Sequence, residues 1–163
     1  MTEMNAPSRN RLRDALIAAI AVFAAGAIGS LATMPNIPAW YAGLTKPAFT
    51  PPDWVFGPAW TTLYILMAIA FWRVLQAPPA PLRRVAIVVF VEQLVLNALW
   101  SVAFFGFRSP LAGLVVIAML WGSIALTIAL FSRIDRAAAL LLAPYLAWVT
   151  FAGALNAGVL VLN

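Results

Sequence analysis

Three sets of residues in this chain pair aromatic rings with amides or hydroxyls at the spacing of a helix face. Gln93, Asn97, Trp100 and Ser101 form one set, Tyr145, Trp148, Ala152 and Asn156 a second, and Trp60 with Tyr64 a third. Residues three and four apart lie on the same side of an α-helix, so each set forms a stripe of ring faces flanked by hydrogen-bonding groups. Turned toward one another, the three stripes would enclose a partly polar, aromatic-lined cavity, the usual make-up of a small-molecule site.

Bond-making chemistry finds little support. The chain has no histidine, which excludes a Ser–His pair and the commonest haem ligand. It has no cysteine, so disulfides, thiolate metal sites and thiol catalysis are excluded, and cysteine usage says nothing of the redox compartment. No pair of intramembrane carboxylates serves acid–base work, and no glycine-rich phosphate loop is present. No catalytic residue, metal site or obligatory cofactor is expected.

Each stripe also has a plainer explanation. Asn97 and Asn156 could bond between helices, a contact worth about 0.6 kcal/mol in membranes. Trp54 and Trp72 suit interfacial anchoring, which also competes for Trp60 and Trp148. Trp121 suits packing or lipid contact. Glu92 is expected to snorkel or to pair with Arg84 or Arg83 rather than to relay protons.

The elements that position these residues are membrane helices. Of 163 residues, 64% are hydrophobic and 9% charged, against roughly 25% charged in soluble domains. Mean hydropathy is +0.97. Windows of about 20 apolar residues suffice to cross a bilayer, and five are present, near Ala15–Met34, Trp54–Gln76, Val85–Gly106, Pro110–Ser132 and Ala138–Leu162. The expected fold is an all-α membrane protein, one five-helix transmembrane bundle over residues 1–163, with residues 1–8 a disordered tail. The first apolar segment is longer than the 7–15 residues of a signal peptide, and Ala32-Thr33-Met34 is a weak cleavage site, so it is expected to be retained.

The net charge of +5 reflects topology, not nucleic-acid binding. Arg9, Arg11, Arg13, Arg73, Arg83, Arg84, Arg133 and Arg136 fall on one side of the five spans; only Lys46 and Arg108 fall on the other. By the positive-inside rule the N-terminus is cytoplasmic, with the C-terminus and the Trp40 loop outside. Connections carry breakers: Pro78, Pro79 and Pro81 follow the second span, and Ser109-Pro110 reads as an N-cap with proline at the first helical position. Asp53 is the expected cap of the second helix, and Pro144 is expected to kink the fifth mildly. Ala21, Ala25, Gly29 and Thr33 form a small-residue stripe suited to close packing inside the monomer or at a subunit interface.

Three blocks resemble the TspO/MBR family of tryptophan-rich sensory proteins and mitochondrial translocator proteins. The first is Trp40-Tyr41, Leu44, Lys46-Pro47, Pro51-Pro52 and Trp54-Val55, continuing through Gly57-Pro58, Trp60-Thr61 and Leu63-Tyr64. The second is Gln93-Leu94, Leu96-Asn97, Trp100-Ser101 and Phe104-Phe105-Gly106; the third is Pro144 to Trp148, Phe151-Ala152 and Leu155-Asn156. The resemblance spans nearly the whole chain. It implies a five-helix bundle, often homodimeric and surrounded by membrane lipid, that binds porphyrins such as protoporphyrin IX, haem-related tetrapyrroles, sterols in some members and benzodiazepine-type drugs. Carried over by motif position, the ligand-binding residues are Trp60, Tyr64, Asn97, Trp100, Phe105, Trp148, Ala152 and Leu155. The lid is the loop holding Trp40, Lys46, Pro47, Pro51 and Pro52. Lys46, the only cation of that loop, is a candidate propionate partner, a solvated lysine being the alternative.

The resemblance has one gap. Leu155-Asn156 is followed by Ala157-Gly158-Val159-Leu160, without the Tyr and Arg of the sterol-associated element, so sterol binding through it is not expected. The compact loops resemble bacterial members. The function expected is a porphyrin-binding membrane protein with a regulatory, sensory or stress-related role. The alternatives are light- and oxygen-dependent porphyrin breakdown, and transport, although no internal repeat supports a carrier.

Overall fold

The computed structural model describes residues 6–163. Its helices are α1 (Ala6–Thr33), α2 (Phe56–Gln76), α3 (Pro81–Ser101), α4 (Pro110–Ser132), α5 (Arg136–Leu141) and α6 (Ala143–Leu162). Among the described residues five helical segments are long and apolar enough to cross a membrane, α5 and α6 together making the fifth. Residues 1–5 of the expected tail lie outside the described residues, and α1 already begins at Ala6.

Local chemistry sets the helix ends. Ser109 caps α4, its Oγ accepting from the Ala112 N–H at 3.2 Å, with Pro110 following. Asp135 caps α5 by accepting from the N–H groups of Ala137 and Ala138 at 2.9 and 3.2 Å. Burial pushes the Asp135 carboxyl up, but these N–H donors and the Arg73 guanidinium outweigh it and hold the group below its ordinary value. Pro144 does more than kink a helix: the helix is interrupted at Leu142, and α6 restarts with the proline in its first turn, where the missing N–H is harmless. Asp53 does not cap α2. A short 3₁₀ turn, Asp53–Val55, intervenes, with Pro52 at its cap position and no side-chain bond.

The spans close into a ring. α1 lies against α2 and α3, α3 against α4, α4 against α6, and α5 bridges α2 and α4. The small-residue stripe serves this ring from inside: Ala25 is buried, and a Cβ on Gly29 would come within 3.0 Å of Ser101 Oγ. Within the monomer, its use is therefore the close approach of α1 to α3.

One half of the bundle is solid. Phe71, Phe90 and Phe131 stack in a column with centroids 4.3 and 5.6 Å apart, and Met67, Val74 and Leu142 fill the gaps beside them. Lipid is as apolar as these side chains, so packing contacts rather than water exclusion hold this half. Its rim is polar: Arg73 pairs with Asp135 at 2.9 Å, and Gln76 donates to Asp14 at 2.7 Å. Arg83 donates to the carbonyls of Val74 and Leu75 at the end of α2. That use of Arg83 corrects the expected pairing of Glu92, which forms no ion pair among the described residues and stays exposed on the outer face of α3 beside Val88 and Val95.

Candidate functional site

The other half of the bundle is hollow. A cavity of about 540 Å³ opens there, walled by α1, α2, the end of α3 and α6, and roofed by the loop between α1 and α2.

Trp60 is the hub of its wall. One turn apart on α2, Trp60 and Tyr64 stack at 5.5 Å with planes 28° apart. The Trp60 ring also meets Trp100 at 6.5 Å, Tyr145 edge-on at 6.3 Å and Trp148 edge-on at 6.4 Å. These spacings are those at which aromatic pairs attract, so one indole is fixed by four other aromatic rings while still lining the cavity.

The amides fix the helices rather than point freely at a ligand. Tyr64 donates its hydroxyl to Asn97 Oδ1 at 3.1 Å, and Asn97 Nδ2 donates to the fully buried Tyr145 hydroxyl at 3.0 Å. Trp100 Nε1 donates to Asn156 Oδ1 at 3.1 Å, while Asn156 Nδ2 donates to the Pro110 carbonyl at 2.7 Å. Each bond links different spans. Gln93 does not join this network: it is buried below the cavity and has no partner among the described residues.

At the end of α3 the backbone widens into a π-turn, Val102–Gly106. Such turns insert an extra residue and gather at functional sites. Here it turns both Phe104 and Phe105 inward, into a small cluster that receives the roof. Trp40 stands edge-on to Phe104 at 5.4 Å, and Tyr41 meets Phe105 at 5.5 Å. Further along, the Asn163 carboxamide grips the Thr45 backbone, and the ring of Pro47 fills the space that the missing Cβ of Gly158 leaves on α6. Arg108, at φ 52°, donates to Asn36 at the start of the roof.

Seven of the eight residues selected from the sequence face the cavity: Trp60, Tyr64, Asn97, Trp100, Phe105, Ala152 and Leu155. Trp148 does not. It lies behind Trp60 and faces a shallow outer groove with Trp54 and Phe151. Lys46 is also off the wall, its Nζ 4.4 Å above the Tyr41 ring. Pro47 is a buried foot of the roof, and Pro51 and Pro52 lead into the Asp53 turn. Four roof residues not selected, Met34, Ile37, Tyr41 and Asp53, line the cavity, as does a face of α1 that includes Phe23, Gly26 and Ser30. Gly26 is the informative one. A Cβ there would lie 2.7 Å from the Tyr64 ring, so glycine is what admits that ring.

No group of three or more His, Cys, Asp or Glu able to hold a metal occurs among the described residues. The cavity wall, aromatic and apolar with the hydroxyls of Ser30, Tyr41 and Tyr64 among its groups, can stack, enclose and hydrogen-bond a ligand.

The sequence profile of the TspO/MBR family matches residues 17–162. The chain belongs to the TspO/MBR family. The tryptophan-rich protein TspO of Chlorobaculum tepidum is 47% identical over 141 residues, covering 86% of this chain and 89% of that protein. A second tryptophan-rich protein TspO, from Archaeoglobus fulgidus, is also 47% identical, over 91% of this chain and 96% of that protein. The human translocator protein is 39% identical over 72% of this chain and 70% of its own length. As a TspO/MBR member, the chain is an integral membrane helical bundle related to sensory and translocator proteins.

Proposed function

We propose that this TspO/MBR protein is a membrane receptor for flat, hydrophobic molecules of the tetrapyrrole class, acting in sensing or regulation. The observation that carries it is the Trp60 ring, facing a roofed cavity and held by Tyr64, Trp100, Tyr145 and Trp148. An indole fixed in this way presents its face to a planar ligand with little ordering left to do, and pre-organisation of that kind favours binding. The volume of about 540 Å³ lies within the range of about 300–1,000 Å³ common to small-molecule pockets. Tyr64 and Trp100 extend the stacking surface, Phe105 and Leu155 close the sides, and Tyr41 covers the mouth. Trp148 acts through Trp60 as a positioning residue.

The basic end of the bundle would face the cytoplasm and the roofed end the opposite compartment, following the charge bias. A homodimer belongs to the same proposal and is tested by mass measurement in detergent. The ligand class is tested by titrating purified protein with protoporphyrin IX and following tryptophan fluorescence. Saturable quenching at one porphyrin per chain is expected; a linear, unsaturable decrease would refute it.

A further inference from the structure

Asp53 is the only charged side chain on the cavity wall among the described residues. It stands at the mouth, exposed, on the turn that leads into α2. Its carboxylate makes no capping bond and belongs to neither ion pair of the described residues. The two cations of this end, Lys46 above the Tyr41 ring and Arg108 on Asn36, contact neutral groups rather than the Asp53 carboxylate. The cavity wall also carries the rings of Tyr41, Phe56 and Trp60. Tyr41 reflects the closeness of the acid, since its phenol is pushed above its ordinary value by burial first and by the Asp53 charge second.

We infer that Asp53 sets the charge class of the ligand, so that the cavity takes flat apolar molecules with a cationic or neutral polar end in preference to dicarboxylates. The inference rests on the proposed function, and it narrows it. A carboxylate on the wall attracts a cation and repels an acid, and the aromatic rings lining the same cavity can add cation–π attraction for the same sign. A dicarboxylic tetrapyrrole must enter with its acid edge turned away from α2, whereas an esterified or amine-bearing one is free to face it. At an exposed mouth the preference is modest, about three- to ten-fold in Kd, and salt weakens it.

The test uses one macrocycle with three edges: protoporphyrin IX, its dimethyl ester, and a derivative carrying quaternary ammonium groups on both propionate side chains. Each is titrated into the full chain in detergent at low and high salt, alongside Asp53→Asn and Asp53→Glu. Wild-type protein should bind the cationic form tightest and the dicarboxylate weakest. Asp53→Asn should tighten the dicarboxylate and weaken the cation by about three- to ten-fold each, with both changes shrinking at high salt. Asp53→Glu should keep the wild-type order. If Asp53→Asn leaves all three affinities in their wild-type ratio, the inference is overturned while the receptor function stands. If none of the three quenches saturably, the receptor function itself fails and the inference falls with it.

Discussion

The carboxamide of Asn163 closes on both backbone groups of Thr45: Oδ1 accepts from the Thr45 N–H at 2.9 Å and Nδ2 donates to the Thr45 carbonyl at 3.0 Å. A side-chain amide here does what a neighbouring β-strand would do, and it ties the middle of the roof to the end of α6. Each such bond contributes about 1 kcal/mol, less where water competes. Asn163→Ala should therefore speed amide hydrogen exchange through Trp40–Thr50 and raise the ligand off-rate several-fold, with little change in Tm. Unaltered exchange across that loop would show that the clasp does not hold the roof.

Gly158 offers an independent handle on the same roof. Any Cβ at this position would run into the Pro47 ring, and overpacking at a tight contact costs about 1–3 kcal/mol. Gly158→Val should lift the roof while the bundle below stays folded. Faster quenching of Trp40 by iodide, with unchanged helical circular dichroism, is the expected result; iodide access equal to wild type would contradict it.

Asn97 tests whether the amides hold helices or ligand. Its removal leaves the Tyr145 hydroxyl without its observed partner, in a residue with no exposure, and an unsatisfied buried group costs about 1–3 kcal/mol. Asn97→Leu should lower Tm clearly more than Tyr64→Phe, which breaks only one of the two bonds. Equal, small losses for both would place Asn97 among the ligand contacts instead.

Asp135 carries a pH signature. Its carboxyl is held below its ordinary value in the folded chain, so its contribution is complete above the unfolded value of about 3.9 and fades as pH falls through the lower folded value. Asp135→Ala should cost about 1 kcal/mol at neutral pH, as other lost N-caps do. The Tm gap between variant and wild type should stay level from neutral pH down to about 5 and narrow below about 4. A gap that widens in acid would contradict the cap.

Much of the fold was legible because long apolar runs have few structures open to them in lipid. The stripes on α2, α3 and α6 were legible as well, since rings and amides stand out against aliphatic residues. The α1 wall was not, because Gly26 contributes by lacking a side chain, and absence has no periodicity. Trp148 shows a different limit. Spacing fixed its helix face, but only the packing reveals that the Trp60 ring stands between it and the cavity. Asp53 read as a cap because Asp before an apolar run usually is one; the 3₁₀ turn after Pro52 moved its carboxylate to the cavity mouth. Lys46 read as a free cation because a sequence does not show the Tyr41 ring beneath it.

The central claim is that Trp60 is the stacking surface and Trp148 its support. Protoporphyrin IX binding should be measured by porphyrin absorbance, which does not depend on the tryptophans removed, in Trp60→Leu and Trp148→Leu. Trp60→Leu should weaken binding by at least about ten-fold, equivalent to about 1.4 kcal/mol, and Trp148→Leu by clearly less. Wild-type affinity in Trp60→Leu, or a larger loss in Trp148→Leu, would contradict the account.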